Sequence, residues 1–385
     1  MQVDYIGTFG IILGVLARFW PVWVALVIIL FFSLRFRKQL GLYGHLFDTG
    51  VGVAGVMICC FWLFTAIFAG TVAPFDPLAQ FPIMKNVVPG ALEPETGQAF
   101  LFGGDRLARD VFSRMVFGSQ IVLIIAPAAT LFALMVGTTL GLPAGYYGGR
   151  IDSFLSFLAN LVLAFPVILL FYLLVTPGIR ETPIPQWMAG TFFIFPIVFF
   201  VTLFWTRYRS RPQLLAIQLA LTLLIGGWVY VGLVFNADPL GIISISSNQL
   251  NIFVAVVFAS SPGVFRIVRG LVMDIKTRDY VAAAQTRGES PWYIMLWEVL
   301  PNARGPLIVD VCLRIGYTTI LLGTLGYFGL GLAPESPDWG TGIKESSRLL
   351  RAYVHPALPP VFALMSFVLG LNLLADALRE QSLKD

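Results

Sequence analysis

Residues 120–145 read QIVLIIAPAATLFALMVGTTLGLPAG, a run without a single charged side chain. The run is longer than the roughly 20 apolar residues that a helix needs to cross the hydrocarbon core of a bilayer. Similar apolar runs recur along the chain, and basic residues cluster at their ends, as Arg35, Arg37 and Lys38 do. This pattern predicts an all-α integral membrane protein.

The composition agrees with this prediction. Hydrophobic residues make up 57% of the chain and charged residues 12%, whereas soluble domains carry about 25% charged residues. The net charge of +4 does not indicate nucleic-acid binding, because the basic residues form no stripe or long block. The three cysteines lie in apolar runs, which favours small buried hydrophobes over disulfides or metal ligands. We therefore expect no cofactor and no metal.

Nine membrane spans are predicted, with the first and fifth having the weakest patterns. They cover residues 11–34, 51–72, 119–145, 152–176, 187–205, 213–235, 251–271, 306–331 and 357–377. Lys and Arg are enriched on the cytoplasmic side of membrane proteins. This rule predicts a cytoplasmic loop at 272–305, a cytoplasmic C-terminus and an external N-terminus. The first span is expected to be retained, because no small-residue cleavage site follows it.

The most informative loop contains two short helix signals. Asp279 is a candidate N-cap for a helix through the three alanines 282–284, and Gly288 can end that helix in a left-handed conformation after Arg287. Ser290 and Pro291 can begin a second helix, which is expected to stop before Pro301. Local chemistry alone leaves open whether this segment, residues 279–301, is a simple connector or a docking surface. We call it the elbow.

The elbow resembles the signature loop of ABC importer permeases, whose pattern runs Glu-Ala-Ala, Gly, Ile-x-Leu-Pro. Here Ala282-Ala283-Ala284 is followed after three residues by Gly288, and Leu300-Pro301 closes the pattern. Two positions depart from the family: Ala282 replaces the glutamate and Glu298 replaces the isoleucine. The missing glutamate removes any polar contact that it would make with an ATPase.

Further segments, in the family's order, resemble the C-type permeases of dipeptide, oligopeptide and nickel importers. Residues 73–77 match the motif after the first core helix, and residues 103–114 match the motif before the next, with Gly104 and Ala108 in place of the usual Thr and Gly. Three later segments also match: 327–331 (YFGLG), 337–340 (PDWG) and 372–379 (NLLADALR).

The resemblance implies a type I ABC importer permease fold with a six-helix core. It also implies these partners: a second homologous permease, two cytoplasmic ATPases, an external solute-binding protein and the lipid bilayer, with no nucleic acid. The expected location is the bacterial or archaeal cytoplasmic (inner) membrane. The implied ATPase-docking residues are Asp279, Tyr280, Ala282, Ala283, Ala284, Arg287, Gly288, Leu300 and Pro301. The external motif contributes Asp105, Arg106, Arg109, Asp110 and Arg114.

The chain has two parts that the family pattern lacks. Residues 1–50 hold an extra span and loop, and an inserted pair of spans lies near 177–250. The first core helix and its external loop are expected at 51–118, and the remaining permease domain at 119–385 with the coupling loop near 274–305. The insert has two open readings, packing against a partner or lineage-specific decoration.

Three weaker signals lie inside spans. Gly137, Gly141 and Gly145 are spaced for close helix packing. Asp310 and Arg314, one turn apart, are expected to form an internal ion pair, because charges in a membrane are usually paired. Pro166 and Pro262 can kink their helices.

Two other classes of function would need features of a different kind. A secondary transporter needs no ATPase and is expected to carry acidic or broken-helix sites near mid-membrane. A membrane-embedded enzyme needs a catalytic constellation, and the sequence contains none. It also contains no phosphate-binding loop, so the chain is expected not to be an enzyme. ATP hydrolysis is expected in partner subunits, with short peptides or peptide-like compounds as the solute.

Overall fold

Helices dominate the computed structural model, which describes residues 4–180, 182–238, 240–241, 247–330 and 335–382. The first part contains α1 (Thr8–Arg18), α2 (Trp20–Arg35), α3 (Leu42–His45), α4 (Gly50–Ile67) and α5 (Ala69–Val72), with 3₁₀ turns at Arg37–Gln39, Leu46–Asp48 and Pro82–Met84. Two short antiparallel strands follow, β1 (Ala91–Leu92) and β2 (Ala99–Phe100), paired Ala91 with Phe100.

The described residues in the middle of the chain form helices joined by short connections. It contains α6 (Val111–Tyr147), α7 (Gly149–Ala164), α8 (Val167–Val175), α9 (Pro177–Arg180), α10 (Ile184–Tyr208), α11 (Pro212–Phe235) and α12 (Ser247–Ile275). The last part contains α13 (Asp279–Thr286), α14 (Pro291–Tyr293), a π-helical segment (Ile294–Val299), α15 (Leu300–Asn302), α16 (Arg304–Phe328), α17 (Trp339–Ser347) and α18 (Leu358–Ser382).

Among the described residues, seven helices are long and apolar enough to cross a membrane: α4, α6, α10, α11, α12, α16 and α18. Two helix pairs also qualify if each is counted as one bent span, α1 with α2 and α7 with α8, which gives nine. These candidates fall at the nine predicted positions. Gly331, the end of the predicted eighth span and of the 327–331 motif, lies outside the described residues.

The first and fourth predicted spans are not continuous helices. The helix axis turns by 55° between α1 and α2 and by 74° between α7 and α8. At the second break Phe165 has an extended backbone, with φ −80° and ψ 127°. A residue before proline is disfavoured in the helical region, so the expected kink at Pro166 is a full interruption. Pro262, by contrast, lies inside the unbroken helix α12.

One structural unit combines residues 1–127 with residues 315–385. Its membrane part pairs α4 with α18, and glycines on both helices allow close approach. A Cβ at Gly55 would lie 2.6 Å from the amide nitrogen of Leu374, and a Cβ at Gly370 would lie 2.7 Å from Cγ2 of Ile58. Ala375 is buried in the same helix.

The second unit contains residues 128–314. Gly137, Gly141 and Gly145 of α6 face α12, where a Cβ on each would meet Val264, Val268 or Val272 at 2.5 to 2.9 Å. The predicted packing face is therefore confirmed, and its partner is a helix of the same chain. Helices α10 and α11 of the insert pack against each other in this unit, and α10 also contacts α12.

Candidate functional site

The first half of the elbow is the short helix α13, which ends in a glycine turn. Gly288 has φ +79°, a left-handed conformation that glycine adopts without strain. Its amide donates to the carbonyl of Gln285 (2.9 Å), and the Glu289 amide donates to that of Ala284 (3.3 Å). This pair of bonds is the Schellman C-cap, and the left-handed conformation predicted for Gly288 is confirmed.

The start of α13 differs by one position from the prediction. Arg278, with φ −80° and ψ 150°, occupies the N-cap, and Asp279 is the first helical residue. No side chain caps this end. Asp279 instead places a carboxylate in the first turn, where the helix dipole favours a negative charge.

The second half begins as predicted but ends later. The Ser290 side chain accepts a hydrogen bond from the Tyr293 amide (3.3 Å), and Pro291 follows in the first turn. The expected stop before Pro301 is wrong, because the helical path continues through the π-helical segment to Asn302. A π turn shifts the backbone hydrogen-bond register by one residue. Pro301, which has no N–H to donate, lies directly after this shift. The Asn302 side chain donates to the carbonyl of Glu298 (2.6 Å).

The predicted docking residues differ in exposure. Asp279, Ala282 and Ala283 are exposed, as is Thr286, and their spacing places all four on one face of α13. Arg287, Gly288 and Pro301 are also exposed, and Tyr280 and Leu300 are half-buried. Ala284 is fully buried and faces the chain's own core, so its role is to hold the helix in place.

An apolar core and a salt bridge fix the two halves of the elbow. Val281 and Ala284 of α13 and Ile294, Met295 and Val299 of the second half are all buried in one cluster that continues into α12. A further link crosses the turn, where the Arg287 guanidinium lies 2.9 Å from the Glu298 carboxylate. Glu298, which replaces the family's isoleucine, therefore forms a salt bridge with Arg287 within the elbow.

Helix α10 of the insert also contacts the elbow. The Arg207 guanidinium lies 4.8 Å from the centre of the Trp297 ring, a distance typical of a cation–π contact. The Trp297 indole donates to the Thr206 hydroxyl at 3.1 Å. Sequence reasoning assigned the insert no function, and these contacts attach one of its helices to the elbow's second half.

The external motif forms a buried ionic cluster with a residue that sequence reasoning missed. Arg109 Nε lies 2.7 Å from Asp105 Oδ2, and Arg109 also pairs with Glu345 of α17. Arg114 Nη2 lies 3.4 Å from the same Glu345 carboxylate. We call Asp105, Arg109, Arg114 and Glu345 the ionic cluster. Two positive and two negative charges balance, which such burial requires.

The turn that leads into the cluster shows why glycine is the usual residue at position 108. Ala108 has φ +62°, a conformation that favours glycine, so the usual glycine at this position has a backbone reason. The Asp105 carboxylate stabilises the turn by accepting from the amides of Leu107 (2.8 Å) and Arg109 (2.9 Å). Arg106 is exposed and lies outside the cluster.

Asp110 has a separate role as the N-cap of α6. Its Oδ2 accepts from the Ser113 amide (2.8 Å) and hydroxyl (2.6 Å). Burial raises the pKa of this carboxyl to about 6, although hydrogen bonds from Ser113 and Phe112 and the charge of Arg18 act to lower it. Of the five external residues predicted, Asp110 therefore shapes the helix start, and Asp105, Arg109 and Arg114 form the cluster.

The 337–340 motif completes this region. Asp338 caps α17 by accepting from the Thr341 amide at 2.9 Å, which fixes the helix that carries Glu345. Trp339 is buried, and its indole donates to the Met115 carbonyl at 2.9 Å. Helix α17 is thus joined to the start of α6 by this hydrogen bond as well as by the ionic cluster.

Inside the eighth span, the expected ion pair is present. Arg314 Nε lies 2.6 Å from Asp310 Oδ2, and Arg314 Nη1 lies 3.2 Å from the Ser260 carbonyl. Gly263 leaves room for the guanidinium, since a Cβ there would lie 2.8 Å from its nitrogens. The acid is therefore neutralised by an arginine of its own helix.

Comparison with known protein families identifies the family that includes the elbow. A family model described as "Binding-protein-dependent transport system inner membrane component" matches residues 137–382, a range that includes the whole elbow. The chain belongs to this family. It is a multi-pass inner-membrane permease subunit of an ABC importer, with the type I permease fold.

Relatives of this permease extend the similarity beyond the matched range. It is 29% identical over 330 residues to the di/tripeptide transport system permease protein DppC of Pseudomonas aeruginosa, covering 85% of this chain and 86% of the relative. It is 27% identical over 330 residues to the glutathione transport system permease protein GsiD of Pectobacterium atrosepticum, covering 86% and 85%. A dipeptide permease DppC of Haemophilus influenzae is 27% identical over 316 residues, covering 82% and 84%.

Proposed function

We propose that this permease moves short peptides or peptide-like solutes into the cell, driven by ATP hydrolysis in partner subunits. The observation that carries the proposal is the elbow, with its exposed small-residue face and buried apolar support. Relatives named for di/tripeptide, dipeptide and glutathione transport support the solute class.

The proposed assembly contains a second homologous permease, two cytoplasmic ATPases and an external solute-binding protein. In this assembly the face formed by Asp279, Ala282, Ala283 and Thr286 contacts an ATPase. Small side chains permit close backbone approach there. When the ATPases close on ATP, the elbow moves as one body, because its two halves share a core and the Arg287–Glu298 bridge. The motion switches the spans between inward and outward access.

Transport by the reconstituted assembly tests this proposal. The permease, its partner permease and the ATPases are placed in proteoliposomes, and uptake of a labelled tripeptide is measured with the binding protein present. Uptake is expected to require ATP and all subunits, and the isolated permease is expected to show no ATPase activity above background. Tripeptide uptake driven by an ion gradient without ATP would instead identify a secondary transporter.

The proposed orientation places the elbow and the C-terminus in the cytoplasm and the ionic cluster outside. A reporter fused to the C-terminus is expected to show a cytoplasmic location. A reporter inserted within residues 85–100 is expected to show a location outside the cell. The basis is the enrichment of Lys and Arg in the proposed inside segments. Finding both reporters on one side of the membrane would contradict the orientation.

A further inference from the structure

The insert contains a groove that no role above uses. It lies between α10, α11 and residues 131–135 of α6, and its volume is about 490 Å³. Volumes of about 300–1,000 Å³ are typical of ligand pockets. The lining side chains are apolar except for three, Gln218, Thr222 and Tyr230.

The lining of the groove includes one proline and one glycine. Pro196 lies inside α10 and Gly226 inside α11, and both line the groove. The hydroxyls of Thr222 and Tyr230 are already used, since they donate to the carbonyls of Gln218 (2.7 Å) and Gly190 (3.2 Å). The walls therefore offer little to a polar ligand and suit a hydrocarbon chain.

The groove opens to the surface of the spans. Leu221 and Ile225, which line it, are 48% and 52% exposed. On α10 the lining runs from Phe193 to Phe204, which is about 16 Å at 1.5 Å per residue. One leaflet of a hydrocarbon core about 30 Å thick has nearly the same depth. An acyl chain that enters along α10 would be covered for about the depth of its leaflet.

Basic residues stand at one end of the groove, where α10 connects to α11. Arg207 lies one turn beyond the lining residue Phe204 on the same face of α10, and Arg211, the N-cap of α11, lies two turns before the lining residue Gln218. Both arginines are exposed, and among the described residues neither takes part in an ion pair. Arg209, the C-cap of α10, follows Phe200 by nine residues and so lies about 180° from it around the helix axis.

We propose that this groove is a binding site for an anionic phospholipid, with one acyl chain in the groove and the phosphate at Arg207 and Arg211. Charge complementarity at the arginine end and the leaflet-long apolar wall together select this occupant. Basic positions beside membrane helices attract anionic lipids. Arg207 also contacts Trp297, so the bound headgroup lies next to the elbow. The proposal is independent of the transported solute and of the orientation.

Photolabelling of the full-length permease in nanodiscs tests the proposal. Phosphatidylglycerol and phosphatidylcholine, each with the same diazirine-bearing acyl chain, are compared, and labelled peptides are mapped by mass spectrometry. Phosphatidylglycerol is expected to label residues 193–233 at least fivefold more than phosphatidylcholine. Arg211→Gln should lower this labelling about fivefold, and Arg209→Gln, the matched loss of charge on the other face, should leave it unchanged.

A second variant tests the groove itself. Thr222→Phe fills the groove and is expected to remove the excess of phosphatidylglycerol labelling at 193–233, while labelling by both lipids persists at exposed residues outside the groove such as Leu223 and Leu224. Equal labelling by the two lipids, or equal effects of Arg211→Gln and Arg209→Gln, would mean ordinary lipid contact and would overturn the proposal. Protection of residues 193–233 by the partner permease in the assembled importer would overturn it too, because the groove would then be a subunit contact.

Discussion

Replacing Ala283 with arginine is expected to lower ATP-dependent uptake at least tenfold while membrane insertion stays normal. Ala283 is exposed at the centre of the small-residue face of α13, so a long charged side chain there would hold a docking partner away. A loss of about 1.4 kcal/mol in association already lowers the equilibrium constant tenfold. The measurement is uptake together with copurification of the ATPase. Ala283→Ser, which keeps the residue small, is the matched control.

A change at Gly288 should act on the same property by a different route. Nothing lies within 4 Å of the position that a Cβ would occupy, so only the backbone conformation opposes a side chain. Gly288→Val is expected to cost roughly 1–2 kcal/mol locally and to redirect α13. Gly288→Asn should be better tolerated, since asparagine adopts the left-handed region more readily. Normal uptake and normal ATPase recovery in both Ala283→Arg and Gly288→Val would reduce the elbow to a connector.

Loss of Arg109 is expected to be the most destabilising single change outside the membrane. Its side chain is 2% exposed and pairs with both Asp105 and Glu345. Arg109→Met would leave an excess buried negative charge, and breaking a buried ion pair costs about 3–5 kcal/mol. The expected result is a large fall in the thermal midpoint of the purified protein. Arg106→Gln removes the same charge from an exposed neighbour in the same motif and should change the midpoint little.

A double variant separates charge balance from simple loss of packing. Arg109→Met combined with Glu345→Gln leaves Asp105 and Arg114 as one balanced pair. It should therefore be more stable than Arg109→Met alone, because neighbouring charges do not contribute additively. If the double variant is less stable than Arg109→Met, side-chain packing and not charge balance stabilises the cluster.

The sequence predicted the elements with strong local signals. The nine spans follow from long apolar runs, and the Gly288 turn and Ser290 cap follow from residues with one dominant local preference. The path of the chain at Pro301 was missed because proline ordinarily ends a helix, and a π turn depends on how the segment packs, which a single sequence does not encode locally. The breaks near Phe19 and Phe165 have the same origin, since apolar runs specify length but not direction.

Long-range partners were the other limit of sequence reasoning. The external motif was recognised, but Glu345 lies more than two hundred residues away and has no distinctive neighbours. Two buried arginines require acidic partners, and only one acid of the cluster lies in the motif itself. Ala284 was assigned to a docking surface because the family motif includes it, whereas the fold turns it inward. Neighbours of a motif in space, unlike those in sequence, become known only from the fold.

The pairing of α4 with α18 has a consequence for how the cell makes this protein. Gly55 of α4 packs against Leu374 of α18. The ribosome synthesises α18 roughly 300 residues after α4, so this face of α4 has no packing partner until then. At about 5–20 residues per second, that interval is roughly 15–60 seconds. Throughout this time the glycine face of α4 lies open to lipid or to the insertion machinery. A chain that ends before α18 therefore lacks the helix that packs against the glycine face of α4, and its first unit remains incomplete.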